Sequence, residues 1–246
     1  MTACRASLLF SQKKIMIRII NDFYTDPDEV RAKALKSRYQ LISNGNYPGK
    51  DSLDRMYVTP ELESKIRRIF PDPKYQITCS RFRYALEDDT YMAYVHADSY
   101  GKCTGWHVLI YLSDNKDIKD GLTLYKAPDG KKCWEIFDQD YDWDFPLWTP
   151  WMEVEYKYNR AIVVDYSYFH APMIRGGFGD SIENSRLLHI IEVINVESPA
   201  NKNGIFSERV CMPENHHPYS RKDNNETSTW SDAETAAYER VEHLKY

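Results

Sequence analysis

The chain has 246 residues, with 32 Lys plus Arg against 37 Asp plus Glu and a formal net charge of −5. That length can bury a core without staples, and the acidic balance argues against duplex or other non-specific nucleic-acid binding, which needs a basic surface. The longest apolar run near the start, Leu8-Leu9-Phe10, is too short for a signal-peptide core or a membrane span, so a cytoplasmic protein is expected. Cys4, Cys79, Cys103, Cys133 and Cys211 are odd in number, scattered and without a Cys-x-x-Cys pair. Free thiols are expected rather than a disulfide framework or a zinc ribbon. Asn225-Glu226-Thr227 matches a glycosylation sequon and is read as a chance match. Aromatic content is high, with 19 Tyr, 9 Phe and 6 Trp, a bias toward strands and toward concave sites with one wet end.

Residues 1–14 lack periodicity and read as a loose leader to a single domain over 15–246. Residues 15–20 form a β-branched run, a first strand. Asp26-Pro27-Asp28-Glu29 has a capping residue, a proline at the first helical position and the glutamate of a capping box, so a helix over 26–37 is expected. A Gly/Pro/Asn loop follows over 43–52. Thr59-Pro60-Glu61 opens a second helix with Leu62, Ile66 and Ile69 at helical spacing, closed by Pro71 and Pro73. From Tyr75 the period changes. Strands are expected at 76–86, 91–95, 105–112, 122–125, 154–158, 161–165 and 186–196. Short strands with polar turns and no helices between them indicate an antiparallel sandwich or barrel.

Residues 134–151 carry four of the six tryptophans, with Asp138, Asp140, Asp142 and Asp144 alternating between them. A calcium loop is excluded, since its obligatory glycine and glutamate positions hold Trp143 and Thr149. An aromatic-anchored loop or a wall beside a pocket is expected instead. After Val196 the chain turns polar, and Ser231-Asp232-Ala233-Glu234 starts a final helix over 232–244 within a C-terminal extension, 197–246. His216-His217 sits in a Pro/Asn/Arg-rich stretch read as solvated loop.

The candidate chemistry begins at Tyr94-Val95-His96-Ala97-Asp98. In a strand, residues i and i+2 share a face, so His96 and Asp98 present an imidazole and a carboxylate side by side. With 7 His and 37 acidic residues, about one His-x-Asp/Glu triplet is expected by chance. The order of the downstream segments adds weight. Trp106 to Ser113 is a buried-looking strand ending in polar residues, and Asp114 to Asp120 is a charged turn. Gly121-Leu122-Thr123-Leu124-Tyr125 and Asn159 to Asp165 are further strands. His170-Ala171-Pro172 comes next and, 16 residues after His170, Arg186 opens Arg186-Leu187-Leu188-His189.

This order resembles the iron(II)/2-oxoglutarate-dependent oxygenase superfamily, nearest its prolyl-hydroxylase-like branch, over about residues 76–196. The resemblance implies a mainly β fold with flanking helices: a double-stranded β-helix, jelly-roll or cupin-like, with the N-terminal helices packed on it. It implies iron(II) held by His96, Asp98 and His170, 2-oxoglutarate as co-substrate gripped by Arg186, and O2 as oxidant. Hydroxylation of a C–H bond in a small molecule, amino acid or peptide side chain is the implied reaction. Retention of Asp98 argues against halogenation. The chain departs from the family pattern in having Asp120 before Gly121 where two glycines are usual, Ala-Pro after the distal histidine, and a Gly-rich stretch after Arg175. Arg175 is therefore a rival to Arg186.

The chemistry of the residues agrees with that carry-over. Two imidazoles and one carboxylate on one face of iron(II) leave positions open for a bidentate oxo acid and dioxygen. The distal carboxylate then suits a planar, permanently charged guanidinium. Tyr94 and Tyr111 are candidates for a hydroxyl that shares this grip. His107 and His189, in apolar strand segments, are expected to be hydrogen-bonded core histidines or supports to the ligands. Two other readings stay open: a jelly-roll module binding sugar or peptide through 134–151, and a zinc-dependent hydrolase on the same barrel.

Overall fold

The computed structural model describes residues 17–41, 49–89, 95–98, 105–115, 118–127, 130, 148–174 and 176–198. The leader, Tyr94, Arg175, residues 131–147 and the C-terminal extension with its expected helix lie outside the described residues. The chain opens with β1 (Ile17–Ile20), the described part of the expected first strand, and α1 (Pro27–Leu35). The Asp26 carboxylate accepts from the Glu29 N–H at 3.0 Å, as the sequence predicts for a helix start. β2 (Tyr39–Leu41) and β3 (Lys50–Ser52) follow; they are three residues each, too short to show an alternation. α2 (Pro60–Ile69) is capped by Thr59, which accepts from the Leu62 N–H at 3.1 Å.

The remaining strands are β4 (Tyr75–Ala85), β5 (Gly105–Tyr111), β6 (Gly121–Lys126), β7 (Thr149–Glu155), β8 (Ala161–Asp165), β9 (Phe169–Pro172) and β10 (Arg186–Asn195). They form two antiparallel sheets, one ordered β1-β8-β5-β10-β4-β3-β2 and the other β7-β6-β9. From β5 to β10 the chain steps back and forth between the sheets, which is the winding of a double-stranded β-helix. An isolated antiparallel bridge, His96 to His170, adds a rung beside β9.

Burial explains why the central strands read as nearly continuous apolar runs. Leu187, Ile191 and Val193 of β10 face a core shared with Val30, Ala34, Leu62 and Ile66 of the two helices. Leu188 and Ile190 face the opposite way, between the sheets, with Leu122, Leu124 and Val154. A strand covered on both faces keeps apolar residues at both parities. The helices therefore pack on the outer face of the large sheet, and the site lies against its inner face. No helix among the described residues is long and apolar enough to cross a membrane.

One strand expectation needs correction, one strand was not expected, and one expected strand lies almost wholly outside the described residues. β7 begins at Thr149, five residues before its expected start, so the end of the aromatic segment 134–151 is strand rather than loop. Its register against β6 (Leu122 to Val154, Tyr125 to Pro150) fixes that position. It stops at Glu155 because the chain turns at Asn159, whose φ is 61° and whose amide bonds both the N–H and the carbonyl of Tyr24. β9 carries His170 yet has only four residues, too few for any periodicity. Of the strand expected over 91–95, only Val95 lies within the described residues, and it is not in a strand.

Candidate metal centre

The backbone pairing of His96 with His170 builds the centre. Each N–H donates to the other's carbonyl, at 3.0 and 2.8 Å. That reciprocal pairing places the two imidazoles face to neighbouring face, ring centroids 4.5 Å apart. Asp98, two residues beyond His96, returns to the same side. The potential ligand atoms of His96, Asp98 and His170 all lie within 4.8 Å of one another. Three residues separated by as many as 74 positions thus meet; they are the three that the resemblance implies as ligands.

Hydrogen bonding fixes the chemistry of this cluster. The Tyr168 carbonyl can only accept, and it lies 2.9 Å from His170 Nδ1. A proton therefore sits on Nδ1, and in the neutral ring Nε2 carries a lone pair. That lone pair faces Asp98 Oδ2 at 3.4 Å. His96 Nε2 lies 3.9 Å from Asp98 Oδ1. Asp98 Oδ2 is buried and has no hydrogen-bond partner. A neutral imidazole nitrogen and a carboxylate oxygen facing each other are two acceptors, an arrangement that a cation between them satisfies. Nitrogen and oxygen donors of this kind suit a divalent transition metal.

His107 of β5, read from the sequence as a core histidine or a support to the ligands, stands beside this cluster. Its Nδ1 lies 3.6 Å from Asp98 Oδ2, and its ring packs edge-on against Tyr166 at 4.7 Å. Burial above all pulls it down to about 4, so the ring is neutral at physiological pH. His189 points to the opposite face of the sheet, toward the helices, and takes no part in the centre.

The second predicted group lies at the other end of β10. Arg186 is buried, its Nε 2.6 Å from Asp120 Oδ2. The Tyr111 hydroxyl, on the neighbouring strand, lies beside this pair. Burial and then the Asp120 carboxylate push that hydroxyl well above its ordinary value, and Arg186 partly offsets them. The hydroxyl thus keeps its proton and can donate it. Arg186 and Tyr111 are brought together, as the sequence reading required of an anchor and its hydroxyl partner. Gly121 follows Asp120 with φ at +155°, and a Cβ there would stand 2.1 Å from the Val154 carbonyl oxygen. Only glycine lets the chain pass β7 at this point.

Sequence reasoning missed a buried ion network along β4. Asp51 pairs with Arg83 at 2.6 Å and with Arg81 at 2.9 Å, and Arg81 also binds Glu192. Burial pushes the Asp51 carboxyl up, but the arginines outweigh it and hold the group at about 2. Asp51 lies on a three-residue strand, 32 positions from Arg83. No local spacing announces that pairing. Asp120 was visible only as a residue standing where a glycine was expected.

No protein-family model matches the chain, and no curated protein matches it. Among solved structures, the chain is similar to the non-haem alpha-ketoglutarate-dependent carbocyclase SnoK from nogalamycin biosynthesis, at 14% identity and a TM-score of 0.49, covering 78% of this chain and 85% of that one. It is similar to HygX from Streptomyces hygroscopicus, crystallised with nickel, 2-oxoglutarate and hygromycin B, at 11% identity and 0.47, over 74% and 83%. A 2OG-Fe(II) oxygenase family oxidoreductase from Burkholderia pseudomallei aligns at 12% identity and 0.46, over 74% and 86%.

Proposed function

We propose that the protein is an iron(II)/2-oxoglutarate-dependent oxygenase that hydroxylates a C–H bond of a small molecule, amino acid or peptide side chain. The observation that carries this reading is the facing of His170 Nε2 and the partnerless Asp98 Oδ2 within a His-Asp-His cluster. When bound there, iron(II) supplies oxygen activation: 2-oxoglutarate and O2 become succinate and carbon dioxide, and one oxygen atom enters the substrate C–H bond.

The chain's own residues bind and orient. His96, Asp98 and His170 would hold the metal, and the Tyr168 carbonyl keeps the His170 ring turned with its lone pair inward. The neutral His107 stands beside Asp98, its Nδ1 3.6 Å from Oδ2. Arg186 would take the distal carboxylate of the co-substrate through its Nη edge, since its Nε is engaged by Asp120. Tyr111 would add a hydroxyl donor.

The test is binding, measured without oxygen. Iron(II) and 2-oxoglutarate together should produce a visible charge-transfer band that neither produces alone. Arg186→Ala should retain metal binding while weakening 2-oxoglutarate by at least about tenfold. Absence of the band in folded wild-type protein, or a preference for zinc with no oxygen consumption, defeats the reading.

A further inference from the structure

Arg186 is not a bare cation waiting for an anion. Asp120 is 1% exposed, and its Oδ2 already holds the guanidinium at 2.6 Å. The pair has no net charge. Asp120 Oδ1 is also buried and lacks a hydrogen-bond partner. The backbone of Asp120 is held in place. Its backbone carbonyl accepts from the Tyr156 N–H at 2.8 Å, and Gly121 behind it leaves no room beside the Val154 carbonyl.

We infer that Asp120 sets the 2-oxoglutarate requirement of this protein, lowering affinity for the co-substrate by neutralising Arg186 before the co-substrate arrives. The inference rests on the proposed role of Arg186. A carboxylate docking on the Nη edge gains the attraction of Arg186 but meets the like charge of Asp120, in a dry site where screening is weak. The partnerless Oδ1 sharpens the effect, because it offers a second acceptor where the incoming acid needs donors. Turnover then follows the supply of 2-oxoglutarate instead of saturating at low concentration.

The experiment is calorimetric titration of the full chain, loaded with manganese(II) under nitrogen, with 2-oxoglutarate and with 2-oxobutyrate, which lacks the distal carboxylate. Asp120→Asn keeps an amide oxygen for Arg186 Nε, removes the charge and puts donors where Oδ1 stood. It should tighten 2-oxoglutarate about tenfold, roughly 1.4 kcal/mol, and leave 2-oxobutyrate and manganese(II) unchanged. A general change in packing would move both acids together. If Asp120→Asn does not fold, Asp120→Ala, which frees the guanidinium, should shift 2-oxoglutarate in the same direction. Unchanged or weaker 2-oxoglutarate binding in the folded variant, or an equal gain for 2-oxobutyrate, overturns the inference. Wild-type protein that binds manganese(II) but not 2-oxoglutarate, or whose 2-oxoglutarate affinity survives Arg186→Ala, overturns the reading of Arg186 itself.

Discussion

His170 and His189 are both buried histidines on neighbouring stretches of the same barrel, and they have opposite chemistry. His189 is 0% exposed and uses both ring nitrogens. Tyr24 lies 2.7 Å from its Nδ1 and Ser80 Oγ 2.8 Å from its Nε2. Ser80 gives its own proton to the Tyr57 carbonyl at 2.5 Å, so Nε2 donates to Ser80 and Nδ1 accepts from Tyr24. Nothing is left over. His170 instead has one nitrogen committed to a carbonyl and the other aimed at a carboxylate. A buried imidazole is left available to a metal when the fold satisfies one nitrogen and withholds a proton donor from the other. Satisfying both makes it a strut, here between the N-terminal segment and the large sheet.

The contrast is broken most directly at the acid. Asp98→Ala should cost roughly a hundredfold to a thousandfold in metal affinity, the share of one ligand in a multidentate site. The fold should be retained, because Asp98 Oδ2 makes no hydrogen bond to a neighbour. Manganese(II) titration with a thermal melt reads both, and tight metal binding in the variant would move the centre elsewhere.

The strut makes a prediction in pH. Burial, with a smaller push from Arg81, holds His189 down to about 3 from its ordinary 6.5. Below pH 6.5 the unfolded chain therefore takes up a proton that the folded ring refuses. Stability fully present above that pH is lost as pH falls toward about 3, by about 2 kcal/mol between about pH 6.5 and about pH 4.5. His189→Gln cannot titrate, so its urea midpoint should fall less over that interval. Parallel slopes in the two proteins would show that His189 does not carry this dependence. Metal affinity at constant pH should be the same in both.

Tyr24→Phe is the smallest perturbation. It removes the donor to His189 Nδ1 and leaves a buried lone pair, at a cost of about 1 kcal/mol. A freed nitrogen alone does not create a metal site, because among the described residues no acid acts on this ring. Gain of a second bound manganese in this variant would contradict that rule.

Much of the centre was legible because its parts are short-range or ordered. The i, i+2 rule put His96 and Asp98 side by side, although His96 makes only an isolated bridge and Asp98 lies in a bend, and the run of strands after Tyr75 announced an antiparallel sandwich or barrel. His170 stood out by order, although its strand is too short to recognise. His107 was harder, since its place in an apolar strand gives the same signal as that of His189. Which sheet face each histidine takes depends on where its strand enters the register, and a shift of one residue exchanges the faces.

The sequence by itself determined the helix starts at Asp26 and Thr59, the β-rich block and the order of the potential ligands, because capping, periodicity and i, i+2 geometry are local properties. Only the tertiary structure decided that His96 and His170 pair as backbone neighbours, that Tyr168 fixes the ring proton, that Asp120 takes the charge of Arg186, and that Asp51 gathers two arginines. Each of these joins groups brought into register by strand pairing or chain packing, and their hydrogen bonds are settled only when the sheets close and water leaves.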